Sequence, residues 1–300
     1  MKLIKQSFEF INQTDFSLVG IKKHIERCAR VSYKSEDKIT DTSYEKFVDM
    51  LESRGHDRPL EFGTVHLKMP ESEFRSLIDI LTSSRTYNDL WMHYKVVETW
   101  KEGYTVYVTT NYRYYKLMWN QMNTLSEYFD KTDSEHYPKR YTVHMILDRG
   151  VMDEFRTHVG LSHLAESTRY CNYSKDKFDN EVTFVIPSWC NSLIEGSKQE
   201  YSPFEINGDE VEFMNALQNA KNSYLSLLKM GWTPQQARSV LPLGIKSELI
   251  SCGFEDAWEN FFKRRSSKYG DSGAHPMAAE IADKLCEEFL ERGFIDKKKI

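Results

Sequence analysis

The sequence predicts an α+β fold: a single domain, residues 1–300, in which a mixed or antiparallel sheet is flanked by helices. A length of 300 residues is within the range of one large domain. Helix-type and strand-type patterns follow one another without the regular alternation that builds a parallel sheet. No internal repeat, low-complexity stretch or linker divides the chain. The polar stretches 131–139 and 196–209 are interpreted as surface loops.

In the N-terminal half, apolar residues three and four positions apart predict helices, and β-branched or aromatic runs predict strands. Thr42 and Glu45 form a capping box that opens one helix, and Gly55 can close it. The predicted helices are Ile21–Val31, Thr42–Leu51, Glu71–Leu81 and Tyr114–Phe129, and the predicted strands are Thr64–Met69, Tyr104–Thr110 and Arg140–Leu147.

In the C-terminal half, helices dominate the prediction. Thr233 and Gln236 form a second capping box, with Pro234 at the first helical position, and Gly231 stops the helix before it. The predicted helices are Met152 to about Glu166, Glu210–Met230, Pro234 to about Leu241, Glu255–Arg265 and Pro276–Leu290, with one strand at Glu181–Ile186.

Composition and motifs exclude several classes of protein. A net charge of −5 and a pI near 6.0 argue against a global basic surface for duplex nucleic acid. The glycines form neither G-x-G-x-x-G nor a P-loop, and the five cysteines include no C-x-x-C pair. The start MKLIKQSFEF lacks an apolar signal region, and no apolar run of membrane-spanning length occurs. We therefore expect a reduced, cytoplasmic protein without a cysteine zinc site or a membrane segment.

Arginines are the candidate functional residues. Arg265 shares a helical face with Trp258, Phe261 and Phe262, so it needs an anion or an aromatic face as a partner. An arginine that only stabilises the fold explains this helix equally well. Three arginines (Arg265, Arg238 and Arg169), with Ser167 and Thr168, could together hold a phosphate and a base carbonyl, although each alone is better explained as structural.

A nucleophilic cysteine and a metal site are the two alternatives to an arginine-based anion site. Cys171 lies beside Arg169, whose charge would favour a nucleophilic thiolate, but a small buried cysteine is the commoner case. His158 and His163 are five residues apart and so do not form a pair of metal ligands on one helical face; no metal is expected. From the residues alone, the chain is an anion-binding α+β protein.

The segment RGVMDEFRTHVGLSHLAESTRYCNYSKDKF, Arg149–Phe178, closely resembles the signature segment of the flavin-dependent thymidylate synthases, the ThyX family. RGHDRPLEFG at Arg54–Gly63 resembles the early His-x-x-x-x-Glu motif of that family, and TTNYR at Thr109–Arg113 resembles a segment of its longer members. PQQARSVLP at Pro234–Pro242 and the run from Trp258 to Pro276 complete the ordered set. The resemblance implies a ThyX-like fold and a homotetramer with active sites shared between subunits.

The resemblance also implies an activity: transfer of a methylene from methylenetetrahydrofolate to C5 of dUMP, and its reduction by a hydride from FAD that NADPH recharges. Arg265 matches the catalytic arginine that stabilises the uracil as an N3 anion, which agrees with a guanidinium placed on an aromatic face. The remaining roles follow position by position: Glu154, Ser167, Thr168, Arg169 and Arg238 match nucleotide-binding positions, and His158 and Asn260 match flavin-contacting positions.

The chain departs from the family pattern chiefly on the flavin side. The signature Arg-His-Arg is Thr157-His158-Val159 here, and Arg156 is one residue out of register. Ala165 replaces an acidic or amide residue, Phe62 replaces a histidine, and Phe254-Glu255-Asp256 replaces an Asn-x-Arg segment.

Three hypotheses remain open. The first is flavin-dependent thymidylate synthase, with altered flavin contacts supplied by Arg156, by aromatic residues or by another subunit. The second is a folate-dependent pyrimidine-nucleotide hydroxymethylase, which quenches the methylene with water and needs no hydride. The third is a relative that binds nucleotide without turnover.

Overall fold

Antiparallel sheets flanked by helices form the structure, a computed structural model that describes residues 1–83, 96–169, 171–178, 180–193, 208–270 and 273–300. The predicted α+β fold class with an antiparallel sheet is therefore confirmed. The strands are β1 (Lys2–Ile4), β2 (Ser7–Phe10), β3 (Thr64–Pro70), β4 (Val97–Glu102), β5 (Thr105–Asn111), β6 (Phe129–Asp130), β7 (Arg140–Asp148), β8 (Ser162–Ala165), β9 (Thr183–Val185) and β10 (Lys246–Phe254). The helices of the described residues are α1 (Leu18–Tyr33), α2 (Ser43–Ser53), α3 (Glu71–Ser83), α4 (Tyr112–Trp119), α5 (Arg149–Phe155), α6 (Gly208–Lys229), α7 (Pro234–Ala237), α8 (Glu255–Arg265) and α9 (Pro276–Glu291).

The central sheet has the strand order β2-β7-β10-β8, with all neighbours antiparallel. Strand β10 is buried along almost its whole length and pairs with β7 from Lys246 opposite Asp148 to Phe254 opposite Arg140. Its other edge pairs with β8, where Leu249 lies opposite Ala165. The segment that follows β8 is thereby placed beside the start of β10.

A second sheet, in the order β4-β5-β3-β6, packs with helices α1, α2 and α4 around one apolar cluster. Phe62 is fully buried in this cluster, so the side chain that stands in place of the expected histidine belongs to the core. A two-stranded parallel pair joins β1 to β9.

A second apolar cluster lies between the central sheet and helices α5, α8 and α9. Trp258, Phe261 and Phe262 of α8 are buried in it. Because these three side chains hold one face of α8 against the core, the last residue of the helix, Arg265, is directed toward the end of α5. The predicted orientation of α8 is confirmed: Arg264 is exposed, whereas Arg265 is only partly exposed.

Several predicted elements are confirmed with small shifts of their ends. Helix α8 has the predicted bounds, and α9 extends one residue further. The side chain of Gln236 accepts hydrogen bonds from the backbone N–H and the hydroxyl of Thr233, 2.9 Å each, so that capping box is present. Residues 131–139, predicted as a surface loop, contain neither helix nor strand, and Tyr137 among them is buried. Most of 196–209 lies outside the described residues, and 208 and 209 open α6.

Other predictions are wrong. The helix predicted from Met152 to about Glu166 ends at Phe155, and the chain then passes through a turn that contains Gly160, with a φ of +96°, before it enters β8. The helix predicted over Tyr114–Phe129 is α4 followed by a 3-10 segment, Asn123–Tyr128. Thr42 makes no capping hydrogen bond through its side chain. The sequence does not predict strand β10, because Lys246, Ser247, Glu248 and Ser251 are polar, although nearly all of the strand is buried.

Candidate active site

The side chain of Arg265 is held by two groups near the C-terminal end of α5. Its Nη1 donates to Oε2 of Glu154 at 2.7 Å, and its Nη2 donates to the Glu154 carbonyl at 3.2 Å. Its Nε donates to Nε2 of His158 at 2.9 Å. The predicted anionic partner of Arg265 is therefore Glu154, a residue predicted to bind nucleotide, and the two side chains belong to one group.

His158 is neutral in this arrangement. Burial, followed by the nearby charges of Arg265 and Arg264, lowers its pKa to about 4. A guanidinium only donates hydrogen bonds, so Nε2 of His158 must be the acceptor, and this assigns the ring proton to Nδ1. The ring also packs against the edge of Phe261, with 5.0 Å between centroids. His158 thus fixes the orientation of Arg265 without competing for its charge.

Arg265 and His158 line a cleft of about 280 Å³, here called the Arg265 cleft. Asn260 lies one turn before Arg264 on α8, and its Oδ1 accepts from Nε of Arg264 at 3.3 Å. Both positions predicted to contact flavin, His158 and Asn260, are therefore brought together with the predicted catalytic arginine. The lining residues are Thr157, His158, Val159, Asn260, Arg264 and Arg265.

Two more predicted nucleotide-binding residues meet at a second place. Nη1 of Arg238 donates to Oγ1 of Thr168 at 2.9 Å, which joins the short helical segment after α7 to the chain that follows β8. Thr168 is buried, whereas Arg238 and Arg169 are exposed. Together with Ser167, these residues offer two guanidinium groups and two hydroxyl groups, which are side chains suited to binding a phosphate.

Ser167 opens on a cleft of about 550 Å³ whose lining includes His56, Arg58 and Arg113. The start of the early His-x-x-x-x-Glu motif and Ser167 therefore line the same cleft. Arg265 and Arg238 share no hydrogen-bond partner among the described residues. Arg265 is held by Glu154 and His158, whereas Arg238 is joined to Thr168, and the convergence of the three arginines on one ligand stays a prediction.

Glu61, the last residue of the early motif, lies in an adjoining cleft of about 250 Å³. Its carboxylate accepts from Nη1 of Arg113 at 2.6 Å and from Oγ of Ser162 at 2.8 Å. Its carbonyl accepts from Nη2 of Arg140 at 2.8 Å. Arg58 and Arg113 line both clefts, so the two clefts are neighbours and share cationic side chains.

The residues that depart from the family pattern are engaged elsewhere or apolar. Arg156 pairs with Asp153 at 3.0 Å on the surface. The hydroxyl of Thr157 donates to the carbonyl of Glu154 at 2.7 Å, and Val159 is 64 % exposed. Ala165 ends β8 opposite Leu249.

The hypothesis of a nucleophilic Cys171 is wrong. The thiol is buried and donates to Oε1 of Glu166 at 3.3 Å. Burial and this carboxylate raise the pKa of Cys171 well above its ordinary value, so the thiolate is disfavoured. The charges of Lys246 and Lys34 lower the pKa again only in part.

Sequence reasoning missed Glu166 and Lys246, whose side chains form an ion pair at 3.0 Å. Glu166, the residue before Ser167, is buried, and Lys246 is half-buried. The sequence does contain a signal for this site: Lys246 and Glu248 are two residues apart, so in a strand both side chains lie on the same face. This spacing indicates a shared face only if the segment is a strand, and the sequence does not predict β10.

In the part of the chain that the structure describes, no helix is long and apolar enough to cross a membrane, and no group of three or more metal-ligating side chains is found. The fold and the side-chain contacts thus define an α+β protein with arginine side chains held at two places, Arg265 by Glu154 and His158 and Arg238 by Thr168. Residues 122–291 match the family described as thymidylate synthase complementing protein, and the chain belongs to that family.

Two solved structures are similar over the full length of this chain. Both are of the UMP/dUMP methylase PolB from Streptomyces cacaoi. The complex with 5-Br UMP has 14 % identity and a TM-score of 0.44, with 94 % of that chain covered. The complex with 5-Br dUMP has 16 % identity and a TM-score of 0.42, with 95 % covered. Comparison with curated proteins finds no match.

Proposed function

We propose that this protein is a thymidylate synthase of the flavin-dependent kind, which transfers a one-carbon unit from methylenetetrahydrofolate to C5 of dUMP and yields dTMP. Family membership supports the reaction class. The observation that carries the proposal is the Arg265 cleft, in which a guanidinium is oriented by Glu154 and a neutral His158 beside Asn260.

Arg265 acts as the catalytic residue in this proposal. Attack of C5 on the methylene requires electron density on the pyrimidine ring, and a guanidinium already in place stabilises that negative charge at little reorganisation cost. Because His158 is neutral, the positive charge of the cleft comes from its arginines. No enzyme thiol is needed to activate the base, which agrees with the raised pKa of Cys171.

The phosphate and sugar of dUMP are assigned to the second group, Ser167, Thr168, Arg169 and Arg238. Thr168 and Arg238 are already joined by a hydrogen bond, so a phosphate meets a partly ordered pair. We propose that each complete site combines the Arg265 cleft of one subunit with this second group of another subunit in a homotetramer. Exposed apolar side chains on both sides of Arg238 support a subunit contact there: Met230, Trp232 and Leu243.

FAD and NADPH are the proposed reductants, and when bound, the reduced flavin supplies the hydride that completes the methyl group. The residues of the Arg265 cleft fit a flavin through the amide of Asn260 and the guanidinium of Arg264, which offer hydrogen-bond donors to its polar edge and phosphates. Thr157 and Val159 offer it no charge. This site therefore binds flavin with fewer cationic contacts than the family signature provides.

A second function, folate-dependent hydroxymethylation of the pyrimidine nucleotide, is favoured by that same loss of charge. The hydroxyl of Thr157 is used within its own turn, and the exposed side chain of Val159 is apolar. Quenching of the methylene by water would need Arg265 but no hydride. The mass of the product separates the two reactions.

The test combines flavin binding with product analysis. The protein is desalted after incubation with FAD, and its visible spectrum is recorded. It is then supplied with dUMP, methylenetetrahydrofolate, FAD and NADPH, and the products are analysed by mass spectrometry. We expect a retained flavin band and dTMP. A colourless protein that forms the 5-hydroxymethyl nucleotide would support the second function, and a protein that consumes no dUMP would contradict both.

The variant Arg265→Lys tests the role of the guanidinium. Lysine keeps the charge but cannot donate to Glu154 and His158 in the same geometry, so we expect dTMP formation to fall about 10²- to 10³-fold. Arg75→Lys is the matched control, since Arg75 makes an exposed pair with Glu71 and should leave the rate unchanged.

A further inference from the structure

The chain that follows β8 forms a loop from Glu166 to Cys171, here called the 166–171 loop, in which Tyr170 lies outside the described residues. Both of its end residues are buried. The carboxylate of Glu166 accepts from the thiol of Cys171 through Oε1, at 3.3 Å, and from Nζ of Lys246 through Oε2, at 3.0 Å. One carboxylate therefore ties the two ends of the loop to each other and to the central sheet.

The buried charges around Lys246 are balanced. Lys246 also pairs with Glu248, two residues along β10, and Glu248 in turn accepts from Lys34 and from Nε2 of His144, the latter at 2.9 Å. The backbone N–H of Glu166 donates to the carbonyl of Glu248 at 2.8 Å. Lys34 also pairs with Glu36 at 3.2 Å, and His144 also pairs with Glu9 at 3.1 Å. Each carboxylate of the network therefore has a cationic partner, and removal of Lys246 takes the cationic partner from the buried carboxylate of Glu166.

Further contacts hold the loop from its other sides. The N–H of Ser167 donates to the carbonyl of Ser32 in α1 at 3.3 Å. The hydroxyl of Tyr224 in α6 donates to the carbonyl of Cys171 at 3.2 Å. Thr168 accepts from Arg238. The loop is fixed at its base, while Ser167 and Arg169 remain accessible.

We propose that Lys246, Glu166 and Cys171 form a clamp that positions Ser167, Thr168 and Arg169 for the phosphate of the nucleotide. This inference rests on the proposed function and adds to it the residues that set nucleotide affinity. The three clamp residues are positioning residues, since they act through the loop. A loop that carries a phosphate site must be held closely in its bound geometry, because ordering it at the time of binding reduces the affinity.

Cys171→Ala and Cys171→Ser test the clamp with the smallest changes. Alanine removes the donor to Glu166 but leaves the ion pair with Lys246, whereas serine keeps a donor at the same position. We expect Cys171→Ala to speed hydrogen exchange of the amides of Ser167–Arg169 in the ligand-free protein. It should also raise the Kd for dUMP about tenfold, with a much smaller change in kcat at saturating dUMP. Cys171→Ser should restore both properties to near wild type.

Two further variants separate the clamp from general stability. Glu166→Gln with Lys246→Met removes both charges of the pair together and so avoids an unpaired buried ion; we expect it to weaken dUMP binding like Cys171→Ala. Cys286→Ala is the matched control: it deletes a buried thiol in α9, in a different apolar cluster, and should lower Tm without changing the Kd for dUMP.

The outcomes distinguish the two proposals. Unchanged exchange at Ser167–Arg169 in Cys171→Ala overturns the clamp, as does faster exchange with wild-type dUMP affinity. An equal loss of affinity in Cys286→Ala also overturns it. In the wild-type protein, the amides of Ser167–Arg169 could be protected from hydrogen exchange while no dUMP binds. That result overturns the proposed function, and the nucleotide-positioning role with it.

Discussion

Glu154 and His158 give the guanidinium of Arg265 a single orientation, although the ion pair is partly open to solvent. The Arg265 side chain is 21 % exposed and that of Glu154 is 37 % exposed. Such an ion pair contributes little to folding stability, on the order of 1 kcal/mol or less. Its importance is geometric: the carboxylate and the neutral imidazole determine where the guanidinium points.

Glu154→Gln separates these two effects. Glutamine fills the same space but removes the negative charge that holds Arg265, so we expect kcat/KM for dUMP to fall about tenfold. The free energy of unfolding should change by less than about 1 kcal/mol. Glu287→Gln, which weakens an exposed pair with Lys268, is the control and should leave kcat/KM unchanged. Equal activity losses in the two variants would contradict the orienting role.

At the scale of elements, the turn between α5 and β8 places His158 against α8. Gly160 in this turn has a φ of +96°, and a Cβ there would lie 3.2 Å from Cβ of Ala257 in α8. Both the backbone conformation and the close approach therefore require glycine. The turn determines how far His158 lies from Arg265 at the other end of α8.

Gly160→Ala should destabilise the protein by about 2–3 kcal/mol, since the left-handed strain and the contact with Ala257 add together. We also expect a loss of activity because the turn moves relative to α8. Gly293→Ala is the matched control: Gly293 also has a positive φ, +66°, but nothing within 4 Å of its Cβ, so only about 1 kcal/mol is expected. Urea denaturation of both variants measures the difference. A similar loss in the two would show that the contact does not matter.

At the scale of the whole molecule, four buried histidines among the described residues are neutral in the folded state. Burial is the first cause in each case and lowers the pKa to about 3 for His24 and to about 4 for His66, His158 and His163. His144 is the opposite case: burial disfavours its charge, but the carboxylates of Glu248 and Glu9 outweigh this effect and raise its pKa.

Folding stability should therefore fall as the pH drops from about 6.5 toward 4. In that range the unfolded chain binds protons at these four histidines and the folded chain does not, at a cost of at most about 2 kcal/mol for each near pH 5. His144 opposes the trend, since its contribution is present at low pH and is lost as pH rises through its folded pKa. Urea denaturation at a series of pH values tests this.

The pH trend should persist in 0.5 M NaCl, because its first cause is burial rather than long-range attraction. Stability that stays constant between pH 7 and 5, or that rises on acidification, would contradict the assignment of these histidines as neutral.

The sequence by itself determined the α+β class, the bounds of α8 and the capping box of Thr233, because each depends on local periodicity or on side chains a few residues apart. The ordered motifs predicted the family, which the match over residues 122–291 confirms. The predicted roles of Glu154, His158 and Asn260 beside Arg265 remain proposals, but these residues do lie together.

Only the tertiary structure decided which charges meet. Lys246 and Glu166 are 80 residues apart and Arg265 and Glu154 are 111 apart, so their pairing depends on the neighbours of β10 and on the packing of α8. The polar residues of β10 concealed a strand that is buried in the centre of the sheet. The environment of Cys171 was likewise undecided by sequence: its nearest partner in the fold is a carboxylate, whereas its sequence neighbourhood indicated an arginine. A thiol next to a buried carboxylate keeps its proton. Cys171 therefore stabilises a loop, whereas the sequence alone also allowed it to be a nucleophile.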